Sequence, residues 1–395
     1  MIDKEYALKK LVTYLKYNNP YFSQQLNNVD INSADLIKKL PIMRKEYLRS
    51  NSTLITNGYT KDALVRETTN GTTDTPIEVF KSKEECVLLN LALWRMRRRI
   101  DRLATKRNAT YFYNQTPQKI NAQVHRDNVT MHIPMVKKSK SDFLNDLITI
   151  AKYEIQWLIC SPSTAILLCE LIEENSLILN VSVVELISEY LPTVYKNRIE
   201  RAFNCRTVVH YSCHEVWGMA FQQDWTNELY IMEDVIIESE RDFRFDRDLG
   251  NCIVTNLKLK SMPFIRYKLT DLISLTNRNQ KLRTYGFRSL DSIKLSHAYI
   301  HCSFFDNIFY NMDNMSLQPL EDYQIIYGAD GMRFCFIKDF DDAMIKDIVK
   351  MLKEKIYNKF NIHYNIEACR IEKFFHDKNT GKMRGILYNG NILID

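Results

Sequence analysis

Five short segments of this 395-residue chain carry residues whose types and spacing could do chemistry on a phosphate ester. The first runs Arg66-Glu67-Thr68-Thr69-Asn70-Gly71-Thr72-Thr73-Asp74-Thr75-Pro76-Ile77-Glu78-Val79-Phe80, a hydroxyl-rich turn with one glycine between two β-prone runs. A polyphosphate needs many hydrogen-bond donors at close range. Glycine lets the backbone approach, while threonine hydroxyls and backbone N–H groups supply the donors. It is not a Walker A loop, since it has no Gly-Lys-Thr and no helix is expected directly after it; taken alone, it reads as a polar hairpin turn. The second segment, Thr207-Val208-Val209-His210-Tyr211-Ser212-Cys213-His214-Glu215-Val216-Trp217-Gly218, is a buried β-run delivering an aromatic ring and, four residues later, a carboxylate. That pair suits a nucleotide: a ring to stack on the base, and an acid to help hold Mg²⁺ on phosphate oxygens. His210, Cys213 and His214 crowd together without the usual ligand spacing, so zinc is not expected.

The other three segments are Ser261 to Asp271, with Arg266 and Asp271 as its charged members, Arg283 to Leu295, and Asn379-Thr380-Gly381-Lys382-Met383-Arg384-Gly385. Asp271 offers two acceptor oxygens for a pair of hydroxyls, and Arg266 reads as a structural ion-pair partner. A Gly-Lys on a tight turn is common and carries no weight alone. His125, His132, His297 and His301 have no partner pattern and read as ordinary polar residues.

These segments need elements to position them. Residues 4–17 have Leu8, Leu11, Val12 and Leu15 at helical spacing, and Asn19-Pro20 breaks that helix. Ser82 to Asp101 reads as a helix with Glu84 and Glu85 in its first turn. Ala109–Tyr113, Trp157–Cys160 and Thr207–Tyr211 read as strands, separated by helices over Ser141–Tyr153, Pro162–Glu174 and Ser182–Leu191. Alternation of this kind argues for α/β layers with a partly parallel sheet. After residue 228, short strands separated by turns suggest an antiparallel or barrel-like section. A helix over Asp341–Phe360 with several strands is enough for a small α+β domain at the end.

The bulk numbers narrow the class. With 45% hydrophobic and 26% charged residues, the chain has an ordinary globular composition. A net charge of +6 is modest for this length and does not imply nucleic acid. Its densest source, Arg95, Arg97, Arg98, Arg99, Arg102, Lys106 and Arg107, spreads around a helix and reads as a solvated, partly ion-paired surface. No run of about 18 apolar residues occurs, so membrane insertion is not expected. Nine cysteines without a CxxC pair, and a charged Met1-Ile2-Asp3-Lys4-Glu5, lead to the expectation of a cytoplasmic protein with reduced thiols.

The five segments, in this order, resemble those of the acyl-adenylate-forming superfamily, and in particular its phenylacetate–CoA ligase and capsule-biosynthesis branch. The first is similar to the phosphate-binding loop Ser/Thr-Ser/Gly-Gly-Thr-Thr-Gly-x-Pro, with Asp74 in place of the second glycine; Pro76 to Lys81 resembles the branch's continuation. The second is similar to Tyr-Gly-x-x-Glu, with Ser212 for glycine. The third is similar to Pro-x-Ile-Arg-Tyr-x-Thr-x-Asp. The fourth resembles the interdomain linker Gly-Arg-x-Asp-Asp-x-Ile-Lys, with Phe287 and Leu290 as departures and Arg288 and Asp291 retained. The fifth resembles the Gly-Lys-x-x-Arg loop.

The resemblance implies a large α/β domain over residues 1–287, a hinge at 288–294 and a small α+β lid over 295–395. It implies ATP-dependent activation of a carboxylic acid to an acyl-adenylate, followed by transfer to CoA, a carrier-protein thiol or an amine. By residue-wise match, Thr68, Thr69, Asn70, Gly71, Thr72 and Thr73 would bind phosphates, Tyr211 would stack on adenine, Asp271 would bind the ribose and Arg288 would contact phosphate or ribose. Glu215 would hold Mg²⁺, Lys382 would stabilise the carboxylate and α-phosphate, and His214, Trp217 and Gly218 would border the acyl pocket. The cysteine-rich metal site of some relatives is not expected, because Phe221 to Trp225 and Leu229 to Ile231 lack its ligands. Two alternatives stay open: a non-catalytic, nucleotide-binding member, or an acyl-protein synthetase that does not use CoA.

Overall fold

The computed structural model describes residues 3–50, 54–68, 77–112, 123–125, 129–135, 138–294, 299–310, 323–329, 331–337, 341–378 and 382–392. Among these residues the site is framed by one mixed sheet of 12 strands. Its parallel half comprises Thr130–Pro134, Asn108–Phe112, Trp157–Cys160, Val183–Leu186 and Arg206–Cys213. Trp157–Cys160 and Val183–Leu186 are buried at every position, as parallel strands covered on both faces must be. The helices Lys140–Lys152, Pro162–Asn175 and Thr193–Phe203 belong to the same core, through Phe143, Leu147, Ile150, Leu168, Leu171, Ile199 and Phe203. Ser139 and Asp142 cap the first of these reciprocally, and Ser161 with Pro162 starts the second.

One expected element changes type. Ser182–Leu191 reads as a helix, but the chain there forms the strand Val183–Leu186 and then turns. A strand covered on both faces loses the two-residue alternation that would announce it, so its apolar run is as compatible with one period as with the other.

Arg206–Cys213 is the strand where the sheet changes character. It lies parallel to Val183–Leu186 on one side and antiparallel to Trp217–Phe221 on the other. Beyond it come Leu229–Ile231, Lys281–Arg288, Tyr267–Thr276, Gly250–Asn256 and Val235–Arg241, all antiparallel. This is the antiparallel section expected after residue 228. The helix Lys83–Ile100, closed at its start by a Ser82–Glu85 capping box, buries Leu89, Leu93 and Met96 in a core shared with Val208, Met219 and Phe221. The N-terminal helices Lys4–Asn18 and Pro20–Gln25 seat Leu8, Leu11, Val12, Leu15 and Phe22 against Leu257 and Ile265.

The last hundred residues supply a second sheet, Ile366–Arg370, Met332–Phe336, Tyr323–Tyr327 and Ile386–Tyr388, with the helix Asp342–Phe360 packed on it. Its aromatic core does not stop at that sheet. Phe305, Phe309 and Phe334 share one cluster with Phe245, Leu249, Leu272 and Phe287 from the larger sheet and its loops. Arg247 also closes a two-pronged ion pair on the fully buried Asp306, at 3.1 and 2.6 Å. No described helix is long and apolar enough to cross a membrane.

Candidate active site

In sheets of this kind ligands gather beyond the carboxyl ends of the parallel strands, at the point where the strand order reverses. A cavity of roughly 540 Å³ opens there, within the range of small-molecule sites. It is walled by the end of Arg206–Cys213 and the turn that follows, by Ile187 to Tyr190 after the neighbouring strand, by Tyr267 to Leu272, by Thr284 to Arg288, and by Lys382 to Arg384. Segments far apart in the chain thus meet at one place. Tyr211, His214, Glu215, Trp217, Gly218, Asp271, Arg288 and Lys382 all line it.

At one end, the Asp271 carboxylate is held by two groups. Tyr211 donates its hydroxyl to Oδ2 at 3.0 Å, and Arg288 Nε stands 3.3 Å from Oδ1. Both partners were expected at the nucleotide, and here they orient the acid as well as the site. Arg288 is tied a second way, its backbone N–H donating to Asp291. Glu215 is buried, with Oε1 accepting from the Tyr267 hydroxyl at 2.9 Å. Among the described residues no group of three or more His, Cys, Asp or Glu is placed to hold a metal ion. A lone carboxylate is nevertheless what Mg²⁺ needs when phosphate oxygens and water supply its remaining ligands, so Glu215 fits that use.

The Lys382 Nζ donates to the Ser188 carbonyl oxygen at 3.2 Å. Burial pulls its ammonium below the usual lysine range; the Glu189 carboxylate opposes that shift, and Arg288 adds to it. Lys382, Arg288 and Arg384 therefore bring three cationic side chains to the wall shared with Asp271. Such a concentration of positive charge in a sheltered cavity suits an anionic ligand.

Glu67 was not singled out in the sequence, yet it organises the opposite end. It accepts from Lys81 Nζ at 2.8 Å and from Trp217 Nε1 at 3.1 Å to each oxygen. Lys81, itself buried, also donates to the His214 carbonyl at 2.7 Å. Together these bonds fix the turn 214–217, where Trp217 takes a left-handed φ of 63° that a non-glycine residue holds only when its surroundings enforce it. Thr68 ends the strand Val65–Thr68, paired with Glu78, and does not line the cavity. Thr69, Asn70, Gly71, Thr72 and Thr73 lie outside the described residues. His214 is largely exposed and sits 4.0 Å from Glu67.

Arg266 behaves as the sequence suggested. It binds both oxygens of Glu238 at 3.0 Å and donates to the Leu40 carbonyl, away from the cavity. A second group escaped the sequence reading entirely: Arg97, Glu185, Trp157 and His210 form a buried polar cluster under the cavity floor. Its one sequence signal was Glu185, a carboxylate inside the apolar run Val183-Val184-Glu185-Leu186. The expected solvated arginine helix is accordingly broken at Arg97, which turns inward.

No family model matches the chain, and no curated protein matches it by sequence. Solved structures do. The chain is similar to 2-hydroxyisobutyryl-CoA ligase in the postadenylation state in complex with 2-HIB-AMP: TM-score 0.65 at 13% identity, over 98% of this chain and 88% of that one. Against the same ligase in the thioesterification state with 2-HIB-AMP and CoA, the TM-score is 0.55 at 14% identity, over 97% and 88%. The anthranilate CoA ligase in complex with anthranoyl-AMP gives 0.50 at 11% identity, over 83% and 66%. At such identities the likeness is one of architecture, and the fold of this chain is that of the acyl-adenylate-forming ligases, a large α/β part with a small α+β part.

Proposed function

We propose that this protein activates a carboxylic acid with ATP to an acyl-adenylate, releasing pyrophosphate, and passes the acyl group to a thiol, CoA being the acceptor favoured by its structural neighbours. The observation that carries the reading is the convergence of Tyr211, Glu215, Asp271, Arg288 and Lys382 on a single cavity. Asp271, already oriented by Tyr211 and Arg288, would accept from the ribose hydroxyls, and the Tyr211 ring would face the base. Mg²⁺ bound by Glu215 would neutralise phosphate charge; the 68–73 loop would supply further donors.

The acid's carboxylate oxygen attacks the α-phosphorus, the bond from that phosphorus to the β-bridging oxygen breaks, and pyrophosphate departs with the electron pair. Lys382 meets the negative charge that builds on the α-phosphate oxygens, and being held in place beforehand it needs little reorganisation. We assign residues 1–287 to the large domain, 288–294 to a hinge and 295–395 to a lid that carries Lys382. The lid in this arrangement is closed over the site, and the higher similarity to a postadenylation state than to a thioesterification state supports that reading.

The test is pyrophosphate release with ATP, Mg²⁺ and hydroxylamine across a panel of carboxylic acids, wild type against Lys382→Ala. Acid-dependent release that drops by about 100- to 1,000-fold in the variant is expected. Nucleotide binding without release from any acid would instead favour the non-catalytic reading. A thioester that appears with CoA, and not with a carrier thiol or an amine, would establish the acceptor.

A further inference from the structure

The wall of the cavity contains one buried side-chain nitrogen that has no hydrogen-bond partner among the described residues, Nε2 of His210. The residue is only 7% exposed. Leaving such an atom unpaired costs about 1–3 kcal/mol, so an orphan on a ligand-facing wall calls for an explanation. The rest of its ring is fixed. Nδ1 lies 3.0 Å from Oε1 of Glu185, which is fully buried. The same carboxylate accepts from Arg97 Nε at 2.7 Å, Arg97 Nη2 at 2.8 Å and Trp157 Nε1 at 2.8 Å.

Arginine and tryptophan can only donate, and Glu185 acts as an acceptor toward each of them. The proton between Glu185 and His210 therefore belongs to Nδ1. A second proton on the ring would leave Arg97, Glu185 and His210 with a net buried positive charge, whereas a neutral ring balances Arg97 against Glu185. Nε2 is then a lone pair held in a fixed direction.

Its surroundings limit what can reach it. A carbon added at Gly218 would meet Nε2 at 3.1 Å, Met232 Sδ at 2.6 Å and Leu93 Cδ2 at 2.7 Å. The missing side chain at Gly218 is what leaves an approach to Nε2, and only a small group fits. Met232 and Leu93 are apolar, and the cluster behind the ring carries no net charge. An ammonium group would lose its water there with no counter-charge to replace it. An uncharged donor, of which a hydroxyl is the smallest, gains a hydrogen bond at the same spot.

We propose that His210 is the specificity residue of the acyl pocket, its Nε2 accepting a hydrogen bond from a hydroxyl on the substrate, so that the protein prefers hydroxylated carboxylic acids to their deoxy counterparts. This rests on the adenylation reading above for its site. Glu185 and Arg97 act through His210 as positioning residues.

The experiment uses the full chain with ATP, Mg²⁺, hydroxylamine and acids in matched pairs: glycolate and acetate, lactate and propionate, 3-hydroxybutyrate and butyrate, 4-hydroxybenzoate and benzoate. For the best-fitting skeleton we expect kcat/KM for the hydroxylated acid to exceed that of its partner by about 100-fold or more. In His210→Phe that ratio should fall below about 5, in line with loss of one hydrogen bond. The ratio does not depend on how much of the variant is folded. A preference for the deoxy acids in the wild type, or an unchanged ratio in the variant, overturns the proposal. Nitrogen-15 spectra of the histidine rings give a readout that needs no turnover. His210 should show a protonated Nδ1 and a bare Nε2 whose signal moves on adding a hydroxylated acid and stays put with its partner. A protonated Nε2, or no movement with any acid, overturns the assignment. Absence of pyrophosphate release with every acid would sink the adenylation reading alone, because the spectra still decide His210.

Discussion

Replacing Arg97 by methionine should destabilise the protein by about 3–5 kcal/mol, the range for breaking a buried ion pair from one side. The figure follows from where the partner sits. Glu185 is fully buried, and Arg97 supplies two of its four hydrogen bonds and its only positive partner that is always charged. Burial alone would raise the Glu185 carboxyl; the Arg97 charge and the hydrogen bonds from His210 and Arg97 outweigh it and hold the group at about 2, against an ordinary 4.5. A depression of that size corresponds to about 3 kcal/mol, with no solvent screening to discount it. The sign follows from the direction. The folded-state value is the lower one, so this stabilisation is complete above pH 4.5 and is lost as pH falls from there toward 2. Guanidinium unfolding followed by tryptophan fluorescence is the assay, since Trp157 donates to the same carboxylate. Adding Glu185→Leu to the Arg97 variant should return about 2 kcal/mol or more, because it removes the stranded charge. A single variant costing less than about 1 kcal/mol, or a double variant no more stable than the single, would refute the reasoning.

Tyr211→Phe removes the hydroxyl that orients Asp271 while keeping the ring; KM for ATP should rise by about 5- to 10-fold with a smaller change in kcat, as initial rates would show. Arg247→Ala strands Asp306, which burial pushes up to about 6 even though Arg247 opposes the shift. That raised value means a contribution to stability that is full below pH 3.8 and lost as pH rises through 6, and without Arg247 the loss deepens. Calorimetry should therefore find the variant's drop in Tm larger at pH 7.5 than at pH 5; an equal drop at both would count against it.

Much of this was legible in the sequence because motif order is a one-dimensional record of a three-dimensional convergence. Tyr211, Asp271, Arg288 and Lys382 were picked by pattern, and they share a cavity. The helices at Ser82, Ser141 and Pro162 were legible because their caps and first turns are local. What failed to show was what depends on distant partners. Glu185 in an apolar strand makes sense only beside Arg97, His210 and Trp157, none of which is near it in the chain. Glu67 looks like part of a loop until Lys81 and Trp217 are seen to claim it. The same blindness produced the helix expected over Ser182–Leu191: without knowing that both faces were covered, nothing in Val183 to Leu186 distinguishes a strand.

The shared aromatic core has a consequence for traffic through the enzyme. Phe287 stands where the resembled linker carries glycine, and it is packed 5.9 Å from the Tyr323 ring, with Phe245 on its own side of the cluster and Phe305 and Phe309 on the other. Turning the small part away would bare these four phenylalanines, at about 1.5–3 kcal/mol apiece. A pose that left them all in water would be visited by fewer than about one molecule in 10⁴. Swivelling is thus limited less by how freely the backbone bends at 288–294 than by whether a second apolar berth exists for those rings. Without one, the acceptor must reach the adenylate past a gate that stays shut, and departing pyrophosphate would share its exit with the incoming thiol.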